Sequence, residues 1–237
     1  MRQHITKNGG ILAGFALVTT GMIAITYHVT QPRIAEAQER QLLSVLNQLV
    51  PESMHTNDMH LDCIIINDQP ALGSTTPKRV FRARQQSRNV AAIIETTAPD
   101  GYSGAIDMVV AVSVDGRSLG ARVVNHKETP GLGDKIDLRV SDWILSFNDV
   151  PLTDQNQSRW QVKKDGGQFD QFTGATITPR AVVEAIRSTV AYAQDNIDMI
   201  YASTSNCLTS RNQDSETLLP SPPPLPDMPE NNVGQSL

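Results

Sequence analysis

The sequence predicts an α+β protein: one N-terminal membrane-spanning helix, then a single domain in which a mixed or antiparallel sheet is packed by helices. Three observations carry this. No Lys, Arg, Asp or Glu occurs from Asn8 to Pro32, enough for the roughly 20 apolar residues that cross a bilayer as a helix. From Leu61 to Asn125, apolar and β-branched residues gather in short runs broken by turn residues. Behind Thr178, the residues Val182, Val183, Ile186, Val190, Ala193 and Ile197 recur at three- and four-residue steps, the spacing of one helix face.

The 237 residues carry a formal charge of −5, with lysines and arginines dispersed among acids. That distribution does not form a basic nucleic-acid surface. The two cysteines, Cys63 and Cys207, lie far apart, and no Cys-x-x-Cys or His-rich spacing is present, so no iron–sulfur or zinc site is expected. The pair reads either as one disulfide in an oxidising compartment or as two separate buried thiols, and spacing leaves both open.

In chain order, residues 1–8 form a short N-terminal segment and 9–29 the span, through Ile11-Leu12-Ala13, Phe15 to Val18 and Met22 to Ile25. The apolar run exceeds a signal-peptide core, so it reads as an uncleaved anchor. A leader cleaved near Ala35-Glu36-Ala37 is the alternative. Arg2 and Lys7 precede the span and Arg33 and Arg40 follow it. This slight asymmetry favours an inside N-terminus, which in a bacterium sends the rest of the chain to the periplasm. Residues 30–60 form a membrane-proximal helical segment, with Ile34, Ala37, Leu42, Leu46 and Leu49 in helical period and Pro51 as its stop.

Strands are expected over Cys63–Ile66, Arg79–Gln85, Val90–Thr97, Ile106–Val114 and Gly120–Asn125, with Asp115-Gly116 as a hairpin turn. The final helix starts with Thr178 as N-cap and Pro179 at the first helical position, and runs to about Ile200. The domain ends near 208. Residues 209–237, including Leu219-Pro-Ser-Pro-Pro-Pro-Leu-Pro226, read as a disordered Pro-rich tail.

Three loops carry candidate chemistry. Gly101-Tyr102-Ser103-Gly104 is an aromatic-bearing turn. His126-x-Glu128-Thr129-Pro130-Gly131-Leu132-Gly133 exposes backbone N–H groups through its Pro-Gly turn. Gly131-Leu132-Gly133 is not a dinucleotide fingerprint, since the later glycine and its helix are missing. In Asp170-x-x-Thr173-Gly174-Ala175-Thr176, the last threonine faces a helix N-terminus, whose free N–H groups and dipole favour an anion such as phosphate. Lys164, in the turn before it, could help neutralise that charge.

The Thr-Gly-Ala-Thr loop resembles the flavinylation motif of the FMN-binding family, with Thr173 where serine is frequent. The three loops, in this order and behind one span, are similar to the G subunits of Rnf (Rsx) electron-transport complexes over roughly residues 1–207. The related C subunits of sodium-translocating NADH:quinone reductases are the alternative. A membrane-anchored binding or scaffold domain without covalent flavin is a second, and a sensor with loosely held FMN a third.

The resemblance implies a periplasmic FMN-binding domain at 61–208 with FMN joined through its phosphate to Thr176 by a separate flavin transferase. Thr173, Gly174 and Ala175 would present the acceptor. Tyr102 and Ser103 would line the ring pocket, and Glu128, Thr129, Leu132 and Gly133 would contact the ring edge. No catalytic residue and no metal is expected. The implied role is electron transfer beside the other subunits of an ion-translocating complex in the inner membrane.

Overall fold

The computed structural model describes residues 2–67 and 70–207. The expected Pro-rich tail at 209–237 lies outside the described residues, as does position 208 at the expected end of the domain. The first element, α1, is one helix, Arg2–Leu49. Its stretch Lys7–Ile34 has a mean hydropathy of 1.8 and is long and apolar enough to cross a membrane. Leu12, Phe15, Leu17, Ile23 and Tyr27 on it are exposed. The Thr26 and Thr30 hydroxyls each donate to the carbonyl four residues back, at 2.8 Å, which satisfies these groups without water. The segments expected at 9–29 and 30–60 are therefore continuous as far as Leu49. Pro32 lies inside the helix without ending it, a tolerance known for helices at membranes.

Six strands follow: β1 Cys63–Ile66, β2 Lys78–Gln85, β3 Arg88–Ala98, β4 Ile106–Ser113, β5 Arg117–Asn125 and β6 Val150–Pro151. They pair in chain order, every pair antiparallel, so the sheet is an antiparallel meander. At the expected hairpin, Gly116 takes φ 84°, a left-handed value natural to glycine, and its N–H donates to Ser113 O at 2.9 Å. The two-residue β6 carries no periodic signal and falls outside the expected strands.

Successive side chains of a strand point to opposite faces, and here both faces are covered. Ala92, Ile94, Met108, Val110 and Val112 join Val182, Val183, Ile186, Val190 and Ala193 of α2, Ile177–Ala202, in one core. Their strand neighbours Ala91, Ile93, Val109 and Ala111 join Leu42, Leu46, Leu49 and Val50 at the end of α1 in a second. Two-sided burial explains why β3 and β4 read as unbroken apolar runs rather than as alternation. Each fully buried isoleucine or valine stabilises by about 1.5–3 kcal/mol relative to exposure.

Polar contacts lock the helix ends. No basic residue stands in the last turn of α1. The sheet supplies one instead: buried Arg122 donates through Nε to Gln48 Oε1 at 3.3 Å, placing positive charge by the negative helix end. Burial pulls this guanidinium below its usual value. At the far end of α2, Arg82 donates to the carbonyls of Ile200 at 3.1 Å and Ser203 at 2.5 Å. The Tyr201 hydroxyl reaches Ala91 O at 2.7 Å, and burial pushes its pKa up to about 12.

The chain after α2 returns along the edge strand β1. The Asn206 N–H donates to Cys63 O at 3.1 Å, and the Ile65 N–H to Asn206 Oδ1 at 2.7 Å, so the open edge is paired. Cys207 is joined to Cys63, with S–S 2.05 Å and a sequence separation of 144. A loop of that size makes the crosslink worth about 4–5 kcal/mol in the chain-entropy account. Cys63→Ser is thus expected to lower unfolding stability by about 2–5 kcal/mol, measured by denaturant titration of the detergent-solubilised protein. Alkylation of the wild type should add mass only after reduction.

Candidate functional site

The meander brings the candidate loops together. The C-terminal end of β3, the start of β4 and the end of β5 lie at one end of the sheet, as the pairs Ala98↔Ile106 and Asp107↔Asn125 show. The Gly101–Gly104 turn joins β3 to β4, and the loop 126–133 leaves β5 at the same end. The N-terminus of α2 meets both.

The Thr173–Thr176 loop rests on an aromatic floor. The Phe147 and Phe169 rings stack at 4.3 Å, and Trp143 meets Phe172 edge-on at 5.1 Å. Trp143 Nε1 donates to Asp170 O at 2.8 Å, fixing the start of the loop. A turn follows in which the Ala175 N–H donates to Phe172 O at 3.1 Å. Its third residue, Gly174, takes φ 83°, the conformation a type II turn demands there. Thr173 and Gly174 are exposed, and Ala175 and Thr176 half-buried. Thr176 immediately precedes α2, and its side chain makes no capping bond.

Thr178 is not the N-cap expected of it. It lies within the first turn of α2, fully buried, and its hydroxyl donates to Glu128 Oε2 at 2.6 Å. Pro179 is consequently the third helical residue, still among the positions whose N–H needs no helical partner. The other oxygen, Glu128 Oε1, accepts the Ser103 N–H at 3.0 Å. Glu128 is 5% exposed, so its carboxylate faces protein on both sides. Both oxygens of this residue, expected to contact a flavin edge, accept hydrogen bonds from within the protein.

The rest of the 126–133 loop is a tight turn: the N–H groups of Leu132, Gly133 and Asp134 converge on Thr129 O at 3.1, 3.2 and 3.4 Å. Leu132 leans on the acceptor loop, its Cδ2 3.6 Å from where a Gly174 side chain would begin. Behind the turn, the Glu128 N–H donates to His126 Nδ1 at 3.2 Å, and His126 Nε2 lies 3.7 Å from Asp137 Oδ2. Tyr102 is 68% exposed, and Leu132, beside Gly174, and Ile177, next to Thr176, are also exposed.

Cations collect on the other side. Arg180 grips Asp165 in a two-point pair at 2.7 and 2.9 Å, and Lys163 Nζ meets Asp170 Oδ1 at 2.6 Å. The Lys164 N–H is fixed on Gln171 Oε1 at 3.1 Å, and its exposed side chain lies close enough to Asp165 to help hold that carboxyl below its ordinary value, after the larger effect of Arg180. Beside Ile177 and Arg180 opens a groove of about 400 Å3, lined also by Pro70, Pro99, Ala181 and Ala185. Thr176 thus has an unbonded hydroxyl, nearby cations for a phosphate, and apolar surface for an aromatic ring. These residues fit a tethered flavin nucleotide.

Tyr102, Ser103, Glu128, Thr129, Leu132, Gly133, Lys164 and the Thr173–Thr176 loop are all assembled at this end of the domain. Sequence reasoning missed Thr178, Arg180, Asp165 and the Trp143–Phe172 support. Arg180 stands one helical turn after Thr176, and that spacing could have found it.

The chain matches the family model for the RnfG N-terminal region over residues 1–49 and that for the FMN-binding domain over 101–191. It is 53% identical to the ion-translocating oxidoreductase complex G subunit of Pseudoalteromonas atlantica, over 87% of this chain and 96% of that protein. The protein of the same description from Vibrio atlanticus is 48% identical over 87% and 99% of the two chains, and that from Shewanella amazonensis 48% over 83% and 91%.

The Arg139 hydrogen bonds hold the Asp137 carboxyl behind the motif loop below the usual carboxylate range, against the opposing effect of burial. A folded pKa below the unfolded value near 4 contributes stability that is present above about pH 4 and is lost as pH falls through the folded pKa. Asp137→Asn should therefore lower stability at neutral pH and flatten its decline below about pH 4, measured by denaturation midpoints across that range.

Proposed function

The chain belongs to the family of G subunits of ion-translocating oxidoreductase complexes, and on that premise we propose that it is the single-pass flavoprotein subunit of such a complex, with FMN joined through its phosphate to Thr176. The observation that carries this is the placement of Thr176: an uncapped hydroxyl at the head of α2, between cations and apolar surface.

Attachment forms a bond from Thr176 Oγ1 to phosphorus. Condensing free FMN with an alcohol is uphill in water, so the donor is an activated flavin dinucleotide. Its phosphoanhydride bond breaks, the nucleoside monophosphate leaves, and the hydroxyl proton passes to a base. Among the described residues, no His, Cys or carboxylate hydrogen-bonds the Thr176 hydroxyl, which points to an external transferase for the base. Thr173, Gly174 and Ala175 present the acceptor, and Lys164 and Arg180 balance the phosphodiester charge.

When bound, the flavin supplies reversible electron uptake and release. The protein contributes location and environment. Tyr102, Ser103, Glu128, Thr129, Leu132 and Gly133 would border the ring. A covalent tether keeps the local concentration high without many contacts, leaving a ring face open to a partner's redox centre. The periplasmic side suits the domain at 61–208, because the Cys63–Cys207 bond belongs to an oxidising compartment and Arg2 and Lys7 precede the span. The partners are the other subunits of the complex in the inner membrane.

Co-expressed with a flavin transferase and denatured in a gel, the wild type should give a fluorescent band. Thr176→Ala should be dark. A dark wild type, with the transferase active on another acceptor, overturns covalent attachment.

A further inference from the structure

The strongest unassigned feature is the Glu128 carboxylate itself. It is buried, and among the described residues no cation pairs with it. A carboxylate taken out of water needs strong donors. It has two, each from a different part of the chain: the Ser103 N–H at 3.0 Å and the Thr178 hydroxyl at 2.6 Å. Thr178 lies in the first turn of a 26-residue helix, whose positive end further favours the charge.

A glycine closes on the same group. A side chain at Gly133 would begin 2.6 Å from Glu128 Oε2 and 2.9 Å from Thr178 Oγ1. Gly133 is thus small where the carboxylate and its donor need room. The Glu128 N–H is itself held by His126 Nδ1 at 3.2 Å. Three segments distant in sequence meet on one side chain, whose partner Thr178 stands just two positions after Thr176.

We propose that Glu128 is a positioning residue for flavin attachment: its carboxylate clamps the Ser103 turn and the first turn of α2 together, and so holds the Thr176 hydroxyl in the orientation the transferase needs. This rests on Thr176 being the acceptor. Without the carboxylate, the Ser103 N–H and the Thr178 hydroxyl lose their shared partner, the two loops separate, and the hydroxyl samples many directions.

The test uses the full chain in detergent. Glu128→Ala, Glu128→Gln, Thr178→Val and Thr178→Ser are compared by hydrogen exchange of the 101–104 peptide in the unmodified protein, and by transferase kinetics on Thr176. Glu128→Ala and Thr178→Val are expected to speed exchange there at least tenfold and to lower kcat for attachment at least tenfold, with KM for the protein little changed. Glu128→Gln still accepts the Ser103 N–H, and the Thr178 hydroxyl can turn to accept from its amide. It and Thr178→Ser should recover most of both losses. If Glu128→Ala does not fold, Thr178→Val removes the same contact from the other side and decides alone.

Wild-type exchange, or a wild-type attachment rate, in whichever of these two variants folds overturns the proposal. So does an attachment rate lost equally in Glu128→Gln and Glu128→Ala while exchange stays slow in Glu128→Gln, which would mark the charge as a direct participant. A wild type that takes no label overturns the Thr176 reading, and this role with it, whatever the exchange shows.

Discussion

The sheet has two apolar faces, and both must be kept from water. A surface sheet that is greasy on one side needs one cover; this one needs two. Helix α2 covers the first face, and the second is closed by the last turns of the same helix that carries the membrane-crossing stretch. The membrane-proximal segment is thus part of the domain's core. Leu42, Leu46 and Leu49 are as much domain residues as Ile93 or Val109.

The same sheet explains the site. An antiparallel meander returns to one end at every second connection, so the β3–β4 turn and the loop after β5 are neighbours by topology. Helix α2 must enter at that end to run down the sheet, and its first turn falls between them. A buried acid then binds the Thr178 hydroxyl in the first turn of that helix. Thr176, whose side chain makes no capping bond, is left outside that network.

Much of this was legible in the sequence. Strand positions came from short apolar runs, the hairpin from Asp115-Gly116, and α2 from its three- and four-residue repeat. What failed was local reasoning at a tertiary contact. Thr178 before Pro179 has the composition of an N-cap, but an acid 50 residues away takes its hydroxyl. Nothing in the sequence around Glu128 reveals that its two donors come from Ser103 and Thr178. The short 3-10 turns and β6 carry no period to detect. The gathering of the three loops was evident only through family resemblance, since residue spacing does not encode which sheet end they share.

The unbroken α1 has a mechanical consequence. From Ile34, where the apolar stretch ends, to Leu42, where the helix joins the core, is eight residues along the helix, about 12 Å at 1.5 Å per residue. No turn interrupts them, so the domain stands on a short mast instead of swinging from a cord. Rotation of the helix within the bilayer becomes a sweep of the Thr176 end of the domain, as a crank turns a handle. The orientation of that end of the domain is then tied to how the helix packs in the membrane.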